Sequence, residues 1–405
     1  MTDTFDELWQ QLAPVGRFNQ TGGYRRYSWT SADAEARAWF GAAAAARGLD
    51  VEHDRNGNLW AWWRDERTGE GDAVVTGSHL DSVPDGGAFD GPLGIVSALA
   101  AVDLLRERGA RPVRPVGVVV FAEEEGARFG RPCLGSRLLT GAIDPAAARE
   151  LSDADGITWA EAMNGAGLDP AGIGPDPERL ARVGTFVELH VEQGRALSEH
   201  NRPVGVAGSV WPHGRWRLDF TGKADHAGTT RLADRCDPML PLAQAVLAAR
   251  AEAETVRALA TVGRVQVRPN STNAIPSSVQ AWLDARAPDE PTLEVLLEGI
   301  TTLAAQHAEA EGVDFEITAE SVTPETLFPA GLRDRVAGTL DGAPVLATGA
   351  GHDAGILAGH VPTAMLFVRN PTGVSHAPDE HAETADCHAG VTALADVLQE
   401  LACRA

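Results

Sequence analysis

Four cysteines in 405 residues, Cys133, Cys236, Cys387 and Cys403, form no Cys-x-x-Cys pair. Their scatter excludes a zinc knuckle and a disulfide scaffold, and reduced thiols in a cytoplasmic setting are expected. No apolar run reaches the length of a membrane span; the richest stretch, Gly91 to Leu105, is interrupted by Asp103. Met1 to Trp29 is polar and lacks the apolar segment of a secretion signal. Positive charge is scarce: 34 Lys and Arg stand against 57 Asp and Glu, a net charge of −23. Nucleic acid and anionic membranes need a positive face, so neither is expected as a partner. Repeats and low-complexity tails are absent too. What is present, 44% apolar and 22% charged residues, describes a soluble globular chain. It is too long for one comfortable core, so two domains are expected.

Short β-branched runs flanked by Gly or Pro predict buried strands at 73–76, 116–121, 186–189 and 364–368. Each precedes a residue that can bind a metal: His79, the Glu123-Glu124-Glu125 run, His190 and His376. Between them Leu93, Val96, Ala100 and Leu104 recur at helical spacing, and Gly109 supplies a stop. Strands alternating with helices predict an α/β sheet, whose ligands lie beyond the carboxyl ends of its strands. The rhythm changes over 206–322. Strand patterns at 215–220, 261–267, 278–283 and 313–317, with helices at 237–253 and 292–310, give the order β-α-β-β-α-β. This predicts an α+β domain, 206–322, inserted into a catalytic domain of 1–205 and 323–405. The Asp-, Gly- and Ala-rich stretch 145–177 is expected to be a helical excursion. Trp60, Trp62 and Trp63 are expected to pack beneath an edge strand.

Each motif admits a structural and a chemical reading. In His79-Leu-Asp81 the Asp either caps a turn or orients the imidazole of a metal ligand. Asp90, before Gly91-Pro92, suits a helix N-cap, and such a carboxylate keeps oxygens free to bridge two ions. Gly86-Gly87 would let the chain fold tightly enough to return Asp90 towards His79. Three adjacent acids at 123–125 form either a solvated turn or a place where one Glu binds a cation and its neighbour serves as base. His190 and His376, taken singly, read as structural. Five ligand-type residues at equivalent strand ends point instead to paired divalent ions and hydrolysis of a C–N bond.

The motifs Gly-Ser-His79-Leu-Asp81-Ser, Gly-Gly-x-Phe-Asp90-Gly, Glu124-Glu125-Gly-x-Arg-Phe, Glu-Leu-His190-Val-Glu-Gln193-Gly, His226-Ala-Gly-Thr-Thr, Asn273-x-Ile-Pro, Gly-Ala-Gly351-His352-Asp353-Ala and Gly-Val-Ser-His376 run in order through almost the whole chain. Together they resemble the M20-type metallo-amidohydrolases, in particular the hydantoinase/carbamoylase branch. The resemblance implies a di-metal exopeptidase-like catalytic domain with an inserted lid and dimerisation domain. It implies that Asp90 bridges two ions (zinc or manganese, with cobalt or nickel accommodated), with Glu125 and His376 at one and His79 and His190 at the other. Glu124 would be the base and Asp81 would orient His79. His226 would polarise the scissile carbonyl, often from a partner subunit. Gln193, Asn273, Arg286 and the Gly351 backbone N–H would bind substrate, with Asn273 and Arg286 on one carboxylate. His352 and Asp353 would lie behind the ligands.

His190 stands where many M20 peptidases carry a carboxylate. That favours a ureido acid, such as allantoate, an N-carbamoyl-L-amino acid or N-carbamoyl-β-alanine, over a peptide. An M20 aminoacylase or dipeptidase is the alternative within the class, and a non-catalytic metal-binding homologue the alternative outside it.

Overall fold

The computed structural model describes residues 2–64, 68, 69 and 71–403. It divides into two compact units, Met1–Gly208 with Leu327–Ala405, and Ser209–Thr326. The change of rhythm in the sequence sets the cuts at 205/206 and 322/323; the contacts set them at 208/209 and 326/327.

The first unit is built on a sheet that has nine strands among the described residues. Its centre is four strands: β1 (Ala73–His79), β2 (Val116–Phe121), β3 (Val183–Val191) and β4 (Thr363–Val368), in the spatial order β2-β1-β3-β4. All three pairings are parallel. Parallel strands covered on both faces are apolar throughout, and every residue of β1, β2 and β4 is buried. Because the four run the same way, their carboxyl ends share one edge, and the chain leaves each strand there towards a candidate site residue.

Helix α1 (Pro92–Glu107) covers the sheet and packs on the final helix α2 (Thr384–Ala402). Pro92 suits the first turn, where its missing N–H costs nothing. Gly109, at φ 69°, follows the last turn. Leu93, Val96, Ala100 and Leu104 are all buried, as their spacing predicts. Gly94 brings α1 close to β3, since a Cβ there would lie 2.3 Å from the Leu189 carbonyl oxygen. The 145–177 stretch holds two short α-helices, Pro145–Arg149 and Trp159–Gly165, and a 3-10 turn, Pro170–Gly172, and ends where the short helix Pro177–Leu180 begins. Trp60 and Trp62 stack 5.5 Å apart and, rather than packing beneath an edge strand, lie on the strand Leu59–Trp63, which pairs side by side with the edge strand Asp50–His53.

The second unit has a four-stranded antiparallel sheet in the order 314–323, 213–221, 278–286, 259–268. Helices Met239–Val256 and Glu290–Ala310 pack on it through Leu242, Ala245, Ala249, Leu293, Leu296 and Ile300, against Leu218, Phe220 and Leu283. A separate two-residue ladder pairs Asp225–His226 with Ala274–Ile275.

Candidate metal centre

The shared strand edge gathers the five candidate ligands into two groups with one member in common. His79, Asp90 and His190 offer donor atoms within 4.8 Å of one another, and so do Asp90, Glu125 and His376. Asp90 Oδ1 faces the first group, 3.4 Å from His79 Nε2 and 3.1 Å from His190 Nε2. Its Oδ2 faces the second, 3.5 Å from His376 Nε2, which is also 3.5 Å from Glu125 Oε2.

The imidazoles are set by the backbone. His79 Nδ1 lies 3.0 Å from the Asp81 carbonyl oxygen, and His190 Nδ1 lies 2.9 Å from that of Val191. A carbonyl can only accept, so each Nδ1 carries a proton, and in the neutral ring the lone pair is on Nε2. Both Nε2 atoms are buried without a hydrogen-bond partner, although carboxylate oxygens stand close by. Nitrogen lone pairs directed among carboxylate oxygens repel unless a cation lies between them. Bonds of about 2.0–2.1 Å in a tetrahedral site give ligand–ligand edges of about 3.3–3.4 Å. The 3.1–3.5 Å separations match those edges, so this donor set fits divalent ions.

Around the two groups lies an excess of buried acid: Asp81, Asp90, Glu123, Glu124, Glu188, Asp353 and Glu380. Their electrostatics diverge. Burial raises the Glu124 carboxyl well above its usual range, helped by Asp353 and Glu125 and opposed by His79. Burial and the Asp90 charge do the same to Glu125. Asp90 is held well below the usual range because His190 and His79 outweigh the cost of its burial. His79 is raised well above its ordinary value, since Glu124, Asp81 and Asp90 outweigh burial. The acids of one small buried cluster are thus pushed in opposite directions, Asp90 down and Glu124 and Glu125 up.

The three glutamates have separate surroundings. Glu123, at φ 54°, turns away and accepts the N–H groups of Arg128 (3.1 Å) and Phe129 (2.8 Å). Glu124 Oε2 lies 3.6 Å from His79 Nε2, and its Oε1 accepts the Cys133 thiol at 3.3 Å. Glu125 faces His376. The Asp81 carboxylate lies 3.6 Å from His79 Nδ1 but is taken up by the backbone N–H groups of Glu124 (3.2 Å) and Glu125 (3.1 Å). Asp81 thus meets His79 Nδ1 with its main-chain oxygen and, farther off, with its carboxylate, while that carboxylate also holds the glutamate loop.

Two expectations are corrected. The N-cap of α1 is Gly91, at φ 84°, and Asp90 precedes it. A Cβ at 91 would lie 2.5 Å from His79 Nδ1, so only glycine lets the imidazole lie against the backbone there. The tight turn before Asp90 is made by Asp85, at φ 56°, rather than by Gly86-Gly87. Gly87 instead leaves room for Glu380, whose Oε1 a Cβ at 87 would approach to 2.3 Å.

Gln193 donates from Nε2 to Asp90 Oδ2 (2.8 Å), and its buried Oε1 has no hydrogen-bond partner. His352 is buried with its ring centroid 4.5 Å from that of His190 and an unpartnered Nε2. Burial and the neighbouring imidazoles hold it well below its ordinary value. Asp353 accepts the Ser136 hydroxyl. Gly351 is exposed in the loop before the helix Asp353–Leu357. Glu188, missed in the sequence, joins Ser78 Oγ (2.8 Å) to the Ala354 N–H (2.9 Å), tying β1 and β3 to that helix. Its only signal is an acid inside a buried strand.

In the second unit the short ladder puts His226 opposite Ala274, and the Ala227 N–H donates to the Asn273 carbonyl (3.0 Å). His226 Nδ1 accepts the Gly228 N–H at 3.0 Å, which leaves the proton on Nε2 of the neutral ring. Arg286 closes the far end of the strand Ser278–Arg286, roughly 25 Å from Ser278 at a strand's usual rise per residue. It grips Asp284 with Nε (2.8 Å) and Nη2 (3.2 Å). The expectation that Asn273 and Arg286 hold one carboxylate is thus corrected within a protomer, because the topology puts them at opposite ends of the sheet.

The chain belongs to peptidase family M20/M25/M40, whose profile matches residues 75–400. Its relatives within that family include amidohydrolases. It is 36% identical to an N-carbamoyl-L-amino acid amidohydrolase of Geobacillus stearothermophilus over 98% of both chains. It is 31% identical to the allantoate amidohydrolase of Escherichia coli, over 94% of this chain and 93% of that one. The crystal structure of a hydantoinase/carbamoylase family amidase from Burkholderia vietnamiensis matches with a TM-score of 0.87 and 30% identity, over 100% of this chain and 98% of that one. Among the described residues no helix is long and apolar enough to cross a membrane.

Proposed function

We propose that this chain is a two-metal amidohydrolase that cleaves the ureido C–N bond of a small acid, of the N-carbamoyl-amino-acid or allantoate type, releasing ammonia and carbon dioxide. One observation carries the reading: Asp90 offers its two oxygens to two separate His- and carboxylate-containing groups. The relatives' amidohydrolase chemistry supports it. His79, Asp90 and His190 would hold one ion and Asp90, Glu125 and His376 the other, with zinc or manganese, and also cobalt or nickel, suited to such mixed donors. Bound divalent ions supply Lewis acidity towards the ureido oxygen and ease the ionisation of water.

The chain's own residues do the rest. Glu124, facing the first group, takes the proton of the attacking water and returns it to the leaving nitrogen. Its raised proton affinity suits the second half of that task. His226, with its proton on Nε2, donates to the oxyanion as it forms. The unpartnered Gln193 Oε1 accepts from a ureido N–H. Arg286 releases Asp284 to take the substrate carboxylate in a two-point contact. Asn273 and the Gly351 N–H complete the binding of the acid.

The working form in this reading is a homodimer. His226 and Asn273 lie at one end of the inserted sheet and Arg286 at the other, so a partner's His226 and Asn273 can serve a site whose Arg286 comes from its own chain. Leu240 and Leu247, seven residues apart on the helix Met239–Val256, are exposed and offer apolar side chains to that contact. The inserted unit then acts as lid and dimerisation domain. The four free cysteines suit a cytoplasmic setting, and the acidic charge suits neither nucleic acid nor membrane. The test is ammonia release from allantoate, N-carbamoyl-L-amino acids, N-carbamoyl-β-alanine and a dipeptide. Release from at least one ureido acid with an intact dipeptide supports the reading; dipeptide cleavage alone replaces it with a peptidase.

A further inference from the structure

The segment 375–380 grips Asp90 at three points. Ser375 Oγ donates to Asp90 Oδ2 at 3.2 Å, and His376 Nε2 lies 3.5 Å from the same oxygen. The third contact is to the backbone: Glu380 Oε1 accepts the N–H groups of both Phe89 (2.8 Å) and Asp90 (2.9 Å). Glu380 is 4% exposed, so this is a buried carboxylate whose Oε1 serves two backbone donors. The loop is shaped around it. Gly87 has no Cβ, and one placed there would lie 2.3 Å from Oε1 and 2.4 Å from the carboxyl carbon. The N–H groups just ahead of α1 could have been left to water or to a capping side chain; here a carboxylate from 290 residues away takes one of them from Asp90 itself.

We infer that Glu380 is a positioning residue that fixes the backbone of Asp90 and thereby sets ion affinity in both groups at once. The inference deepens the two-metal reading and rests on it. The physical basis is leverage. Asp90 is the one ligand that both groups share, so a displacement of its Cα moves Oδ1 away from His79 and His190 and Oδ2 away from Glu125 and His376 together. A residue holding any unshared ligand disturbs one group only. Glu380 also joins Asp90 to the stretch that carries His376, so the second group is braced from both of its sides. Residues that orient ligands from behind typically govern affinity by about ten- to a hundredfold.

The experiment titrates metal-free protein with Mn²⁺ by calorimetry, comparing wild type with Glu380→Ala, Glu380→Gln and Glu125→Ala. Circular dichroism and melting of the metal-free forms establish that each is folded. Glu380→Ala is expected to weaken both ions by about tenfold or more. Glu380→Gln keeps one accepting oxygen and is expected to recover most of that loss. Glu125→Ala is expected to lose one ion and keep the other. Should Glu380→Ala fail to fold, Gly87→Ala crowds the same carboxylate and is expected to weaken both ions likewise. Wild-type affinity for both ions in Glu380→Ala, or loss confined to one, overturns the inference while leaving the two-metal reading standing. A wild type that binds fewer than two ions overturns that reading and the inference with it.

Discussion

His190 Nε2 stands 3.1 Å from Asp90 Oδ1, and no hydrogen bond joins them. The ring donates its Nδ1–H to the Val191 carbonyl, so the nitrogen facing the carboxylate is the one with the lone pair when the ring is neutral. A cation reconciles the two. Replacing His190 by Ala should therefore leave one ion per chain where the wild type holds two, as counted by elemental analysis after dialysis. An unchanged count would remove His190 from the ligand set.

Glu124 touches the first group without being counted in it. Glu124→Gln should keep both ions and lose about two to four orders of magnitude in kcat, the usual contribution of a positioned acid–base group. Parallel loss of ions and rate would make Glu124 a ligand instead.

The separation of His226 from Arg286 gives a test that needs no structure of the dimer. Glu124→Gln and His226→Ala should each be inactive alone. When they are mixed and allowed to exchange subunits, half of the dimers are hybrids with one intact site, so about a quarter of wild-type activity should return. If His226 serves its own chain, mixing restores nothing.

Removal of the ions should change how stability depends on pH. Burial, with the charge of Asp81, pushes Glu123 up to about 7, and burial with the charge of Asp90 does the same for Glu380. Their unfolded values are near 4.5, so between those limits the folded chain binds more protons than the unfolded one, and its stability falls as pH rises. The metal-free protein should melt several degrees lower at about pH 7.5 than at about pH 5. Metal-loaded protein should show a shallower fall, because the ions offset the Asp90 charge that helps raise Glu380. A metal-free melting point that rises with pH would contradict the assignment.

The parts legible in the sequence are those encoded by local pattern. The apolar runs before His79, Glu123 and His190 marked β1, β2 and β3, and parallel strands then force their ends to one edge. Asp90 was legible as a carboxylate near a helix start, but the cap itself is Gly91, because the site needs a residue without a Cβ against His79. Glu380 and Glu188 were not legible. Their partners lie 290 and 110 residues away, and no spacing announces a contact that only the folded sheet creates. Cys133 escaped for the same reason; its contact with Glu124 depends on a left-handed turn at φ 54° in a stretch without a motif. Asn273 and Arg286 look like neighbours thirteen residues apart, yet an extended strand carries them to opposite ends.

The central claim is that one shared carboxylate, Asp90, holds the two ions on which hydrolysis depends. Its most direct test is a stepwise addition of Mn²⁺ to metal-free wild type and to Asp90→Asn, with bound ions and ammonia release from a ureido acid followed in the same samples. The account predicts two ions per wild-type chain with activity returning as they bind. For Asp90→Asn it predicts that both are weakened by more than about a hundredfold, with no activity. Retention of one tightly bound ion by Asp90→Asn, or ammonia release from the metal-free protein, would contradict it.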